Sequence, residues 1–190
     1  MAEAATTTTT TTAEAVDTAP ADQARVRRNR KLGLSIAAGL FLLDQATKWV
    51  VLNLFQIEEL RVIEIAPIFD LRWVENRGVS MGFLTADSSL ERWLLVAMTG
   101  AISIFVATWM WRERRRDDAI ALAFVLGGAL GNIIDRIRLG YVVDFADLHF
   151  GDIHPFLVFN VGDAAITIGV LLLLVRALLT RDRTPAPEDK

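Results

Sequence analysis

Four stretches of this chain, residues 32–54, 93–111, 119–137 and 160–179, each approach the roughly 20 apolar residues needed to cross a bilayer's hydrocarbon. Such stretches leave the backbone little choice, because in lipid it must satisfy its own hydrogen bonds, and a helix does so within one segment. The second stretch, WLLVAMTGAISIFVATWMW, has no charge in 19 residues. The fourth contains VLLLLV, and the first runs LGLSIAAGLFLL before Asp44 interrupts it. Composition agrees: 53% of the 190 residues are hydrophobic and the mean hydropathy is +0.37, in a length that suits one domain.

Charge distribution orients the bundle better than the net charge of -3 does. Arg25, Arg27, Arg28, Arg30 and Lys31 precede the first span, four arginines lie in WRERRRDD between spans two and three, and four basic residues follow Val175. The opposite side holds six: Arg61, Arg72, Arg77, Arg92, Arg136 and Arg138. Thirteen against six predicts that both termini are cytoplasmic, which an even number of spans permits. Residues 1–30, with a run of seven threonines, read as a disordered cytoplasmic tail, residues 31–180 as the membrane domain, and 181–190 as a second tail. With no cysteine, the chain has neither a thiol nucleophile nor a zinc–thiolate site.

The segments on the predicted outer face are the longer ones. Alternation in IFDLRWV predicts a short strand near Ile68 to Val74, ended or broken by Pro67, and Tyr141 to Phe145 reads as another. A small extracytoplasmic sheet on the membrane follows. SSLERWLLV reads as a capped helix start at Ser88 or Ser89.

Ionisable residues at membrane depth are costly and mark function by default. Asp44 and Lys48 stand at i and i+4, Asn132 and Asp135 at i and i+3 with Arg136 beside them, and Asn160 and Asp163 at i and i+3. Asp44–Lys48 and Asp135–Arg136 have the makings of structural ion pairs, and Gly127 and Gly131 of a close helix crossing. Asp163 has no basic residue within four positions. Its partner must come from elsewhere, and the neighbouring loop offers Asp144, Asp147 and Asp152. Two carboxylates in a poorly hydrated site share a proton, so that one serves as acid and the other as base. That is the equipment for hydrolysing an amide with an activated water, and it needs no metal, cofactor or covalent intermediate. His149 and His154 are too loosely spaced about Asp152 to point to a metal.

These clusters, carried in LDQATKWVV, ENRGVSMGF, GGALGNIIDRIRLGYVVDF and FNVGDAAITIG, resemble the lipoprotein signal peptidase (signal peptidase II) family of bacteria over residues 32–180. The resemblance implies a four-helix membrane aspartic endopeptidase with an extracytoplasmic β-cradle. Its members cut signal peptides from prolipoproteins just before the diacylglyceryl-modified Cys, at the outer leaflet of the bacterial cytoplasmic membrane. It implies Asp144 and Asp163 as the catalytic dyad, and Asp44, Lys48, Asn76, Gly78, Asn132, Asp135, Arg136 and Asn160 as substrate-binding or supporting residues. Its partners would be lipidated precursors and membrane lipid, with no nucleic acid, and the chain would act as a monomer. This chain departs from the family pattern at Ser80 and Met81, and at Gly162 where Ala is common. Within the dyad, the apolar neighbours Val143 and Phe145 suggest Asp144 as acid, and the positive end of a helix beside Asp163 suggests that residue as base.

A small transporter or channel is the rival in another class, but it predicts matching polar positions in repeated halves, and none is evident. An intramembrane protease of the GxGD kind would need Gly where Asn160 stands, and a structural scaffold leaves Asp163 unexplained.

Overall fold

The computed structural model describes residues 18–78, 88–151 and 153–181. In chain order these form α1 (Thr18–Asn53), α2 (Ile57–Leu60), β1 (Val62–Ala66), β2 (Phe69–Asn76), α3 (Ser88–Arg112), α4 (Arg116–Arg138), β3 (Val142–Leu148) and α5 (Val161–Arg181). Among the described residues, α1, α3, α4 and α5 are long and apolar enough to cross a membrane, as the hydropathy predicts. Ser80, Met81 and Asp152 fall outside the described residues, as do residues 1–17 and 182–190 of the expected tails.

One boundary needs correction. The helix of the first span begins at Thr18, so residues 18–30 of the expected disordered tail are helical. The sequence pattern there is polar, and tertiary contacts supply what propensity alone does not. Asn29 donates to the Arg114 carbonyl at 2.8 Å, and Arg30 donates to the Trp111 carbonyl while its guanidinium lies 4.5 Å from the Trp111 ring centre. Both contacts pin the extension to the turn between α3 and α4.

α4 is the hub. Half of its apolar window is buried inside the protein, against about a fifth in each of the other three spans. In lipid, apolar side chains gain little by leaving the solvent, so helices are held by close backbone approach and polar contacts. Glycines give α4 that approach on two sides. A Cβ at Gly127 would stand 2.7 Å from the Ala37 carbonyl oxygen of α1, and one at Gly128 would overlap the Gly162 carbonyl of α5. Ala37, Val106, Met110, Leu122 and Leu126 fill the seam where α1, α3 and α4 meet.

The sheet has the order β1-β2-β3, all antiparallel. Pro67 and Ile68 form the turn between β1 and β2. Val51, Ile57, Leu71, Trp73, Val143 and Phe145 form a second core where the sheet meets α1 and α2. α4 ends at Arg138, and two residues on, Gly140 has a φ of +91° that is cheap only for glycine, so the chain turns straight into β3. Phe159 then pairs with Ala146 of β3 through N–H···O contacts of 2.8 and 3.0 Å. That bridge sets the level at which α5 starts, with Asn160 and Asp163 in its first turn.

Candidate active site

The first turn of α5 is closed by a capping box, the reciprocal arrangement in which a cap residue and the third helical residue bond each other's backbone. Asp163 N–H donates to Asn160 Oδ1 at 2.9 Å, and Asn160 N–H donates to Asp163 Oδ2 at 3.3 Å. A third amide of this turn, Gly162 N–H, donates across the bundle to Asp44 Oδ1 at 2.8 Å. The helix start is thereby held from its own chain and from α1.

Asn160 is completely buried, and its other amide end explains why. Its Nδ2 donates to Asp144 Oδ1 at 2.6 Å. The second oxygen of Asp144 accepts from Asn76 Nδ2 at 2.9 Å. Strand register makes this possible: Val74 pairs with Asp144 and Asn76 with Val142, so Asn76 stands diagonally from Asp144 across the ladder. Gly78 N–H bonds Asn76 Oδ1 at 3.0 Å and fixes the amide's orientation, with φ of +93° at Gly78. On the far side, Asn132 Nδ2 of α4 donates to Asp163 Oδ1 at 2.8 Å. Asp144 and Asp163 are therefore linked through one amide, Asn160, and flanked by two more. Neither forms an ion pair among the described residues.

Burial pushes the Asp144 carboxyl up to about 6, and the neighbouring Asp163 carboxylate adds to the rise. The Asn76 and Asn160 amides oppose it, since they bond the charged form. A carboxyl in that range can hold or release a proton near neutrality, as a general acid must.

Behind the amides lies a compensated ionic cluster. Lys48, 3% exposed, stands 2.8 Å from both Asp44 Oδ2 and Asp135 Oδ2, and also donates to Asn132 Oδ1 at 3.0 Å. The expected Asp44–Lys48 pair is present. The expected Asp135–Arg136 pair is not: successive helix positions diverge by about 100°, and Asp135 turns to Lys48 of α1 and to the Val143 N–H. Arg136 donates to the Asn132 carbonyl at 3.5 Å and lies within electrostatic reach of Asp163, Asp144 and Asp135. Gln45 was not singled out from sequence, yet its Nε2 bonds both Asp44 Oδ2 and Asp135 Oδ1, at 3.2 and 3.0 Å. Its signal was its position, a polar residue between Asp44 and Lys48 in an apolar helix.

Of the other carboxylates considered as partners for Asp163, Asp147 is engaged elsewhere. Its oxygens meet Arg72 Nε at 2.7 Å and His154 Nδ1 at 3.0 Å. Burial acts to raise its pKa, but these two contacts win and hold it below the ordinary carboxylate value. His149 stands 3.3 Å from Asp70, so the two histidines serve two different aspartates.

Comparison with known proteins bears on the chain as a whole. The model of the family described as Signal peptidase (SPase) II matches residues 36–179. A lipoprotein signal peptidase of Rhizorhabdus wittichii is 59% identical over 159 residues, covering 83% of this chain and 92% of the relative. One from Sphingopyxis alaskensis is 52% identical over 160 residues, covering 84% and 92%. A solved structure described as a bacterial membrane enzyme superposes with a TM-score of 0.66 at 25% identity, over 84% of this chain and 95% of that one.

Proposed function

The chain belongs to the signal peptidase II family, and from that premise we propose that it removes signal peptides from diacylglyceryl-modified prolipoproteins with Asp144 and Asp163 as its working carboxylates. It is a multi-pass bacterial membrane peptidase of the aspartic type. The observation that carries the dyad reading is the sharing of Asn160: one buried amide bonds Asp144 through Nδ2 and the Asp163 backbone through Oδ1, while neither carboxylate forms an ion pair among the described residues. A buried carboxylate beside a second one is expensive to ionise unless the two share a proton, and proton sharing is what the reaction needs.

In this reading Asp163 takes a proton from water as the water attacks the carbonyl before the lipidated Cys. Asp144, protonated below about 6, gives its proton to the departing nitrogen. Asn76, Asn132 and Asn160 orient the pair, and Asp44, Lys48 and Asp135 hold α4 and the start of α5, which carry the last two. Arg136 adds a positive field at the side of the site. Both carboxylates come from one chain, so a single copy suffices. The excess of basic residues at the other end of the bundle supports cytoplasmic termini and, with them, a dyad toward the outer leaflet, at the depth where a diacylated Cys is anchored.

Incubating the purified protein with a diacylglyceryl-modified precursor and with the same precursor unmodified tests the proposal. Cleavage of the modified form alone is expected; equal cleavage of the two, or of neither, overturns it.

A further inference from the structure

α1 presents two unlike faces. Asn29, Gly33, Ala37, Asp44 and Lys48 are buried against the rest of the bundle. On the opposite side, Arg27, Lys31, Leu34, Ala38 and Leu42 recur at intervals of three and four and are all exposed, with Arg28 and Ser35 flanking them. This outer stripe changes character once, from cations up to Lys31 to apolar and small residues from Leu34 on. Leu34 and Leu42 are 47% and 63% exposed, and a Cβ on Gly39, beside Ala38, would meet nothing within 4 Å.

The cations of the stripe are unpaired. Among the described residues no carboxylate reaches Arg27, Arg28 or Lys31, because the described acids at this end have other partners. Asp22 meets Arg114 at 3.3 Å, Asp118 meets Arg176 at 2.7 Å, and Glu113 accepts the Arg115 N–H at 2.9 Å. The stripe is also held in place, since Asn29 and Arg30 tie the α1 extension to carbonyls of the α3–α4 turn. Cations ordered in advance lose little freedom when an anion arrives. A charge run alone is a solvated face. One that continues into an open apolar track on a membrane-spanning helix matches a molecule with an anion above an aliphatic chain.

We propose that this face of α1 binds an anionic phospholipid of the leaflet opposite the dyad, with its phosphate on Arg27, Arg28 and Lys31 and one acyl chain along Leu34, Ala38 and Leu42. The leaflet follows from the fold: the α3–α4 turn lies at one end of α4, and the dyad lies where α4 ends and α5 begins. The inference goes beyond the peptidase reading and needs only the membrane spans. Each cation near an anionic headgroup contributes about a fivefold preference over a zwitterionic lipid, so three give about 100-fold.

Native mass spectrometry of the full chain in detergent, with phosphatidylglycerol or phosphatidylcholine of the same acyl chains, tests this. The wild type should prefer phosphatidylglycerol about 100-fold, and Arg27→Gln with Lys31→Gln should leave about fivefold. Exchanging the two cations, Arg27→Lys with Lys31→Arg, should keep the preference. Arg112→Gln with Arg116→Gln removes as much charge from the same end and should change it by no more than about twofold. Ala38→Trp blocks the apolar track and should weaken both lipids by about tenfold. Thermal unfolding without added lipid shows that each variant is folded; should the Arg27 and Lys31 pair fail, Arg28→Gln decides, with an expected loss of about fivefold. Equal loss in the Arg112 and Arg116 control overturns the site, because the effect would then be the field of the whole end. So does unchanged binding in Ala38→Trp, or displacement of the lipid by an equal concentration of glycerol phosphate, which would make this a site for a free anion. A wild type without the preference overturns it as well, as it would if the chain's own acidic tails cover the stripe. Failure to cleave a diacylated precursor defeats the peptidase reading and leaves this inference standing.

Discussion

Asp144 and Asp147 stand three residues apart on β3, at 2% and 1% exposure, and their partners differ in kind. At the loop end of the strand, Asp147 lies between a guanidinium and an imidazole and is held below its ordinary pKa. At the helix end, the hydrogen-bond partners of Asp144 are neutral amides, no ion pair to it forms among the described residues, and burial together with the neighbouring Asp163 lifts it to about 6. The same contrast separates Asp163 from the cluster of Asp44, Lys48 and Asp135. A buried charge met by an opposite charge is fixed, and breaking it costs structure. A buried carboxyl met by amides keeps an exchangeable proton and can do chemistry.

The largest expected effect follows from that division. Asp144→Asn or Asp163→Asn should lower kcat on a diacylated precursor by roughly 10³-fold or more, whereas Asp147→Asn should change it by no more than about threefold. Steady-state cleavage assays on the three variants check this, and a comparable loss in Asp147→Asn would erase the distinction. Next in size, Lys48→Met strands two buried carboxylates, and thermal unfolding in detergent should show a loss of about 3–5 kcal/mol. Unchanged stability would mean that the cluster is not structural.

Gly131→Ala presses on the same cluster from α4, because a Cβ there would overlap the Asp44 carboxylate. Overpacking of this kind costs about 1–3 kcal/mol, read from the same unfolding curves. Neutral stability would show that Asp44 can move without consequence.

The smallest effect is a shift of pH dependence. The native state holds the Asp144 proton to about 6, whereas the unfolded chain releases it near 3.8, so raising pH across that window removes stability contributed by this group. Asn76 stabilises the charged form, and Asn76→Ala should therefore move the alkaline limb of the pH–rate profile upward, as an apparent value of the pair. A downward shift would contradict the sign assigned to that amide.

How much of this was legible in the sequence depends on whether a feature is local. The four spans were, because hydropathy over about 20 residues is a property of the segment itself. So was the oddity of Asp163, an acid at the head of an apolar helix with no cation near it. The choice between Asp144 and Asp147 rested on the family resemblance and not on the residue pattern, since physically it turns on which residues of β2 lie across from each: Asn76 near one, Arg72 near the other. The same holds for Asp135, whose partner Lys48 lies 87 positions away on α1. The helical extension to Thr18 depends on carbonyls at Trp111 and Arg114, which no local pattern announces.

The claim that Asp144 keeps a proton while Asp147 does not can be read directly from infrared titration of the carboxyl stretch in the purified protein. A protonated-carboxyl band that disappears as pH rises through about 6 should be present in the wild type and in Asp147→Asn, and absent from Asp144→Asn. Survival of that band in Asp144→Asn, or its loss in Asp147→Asn, would contradict the account.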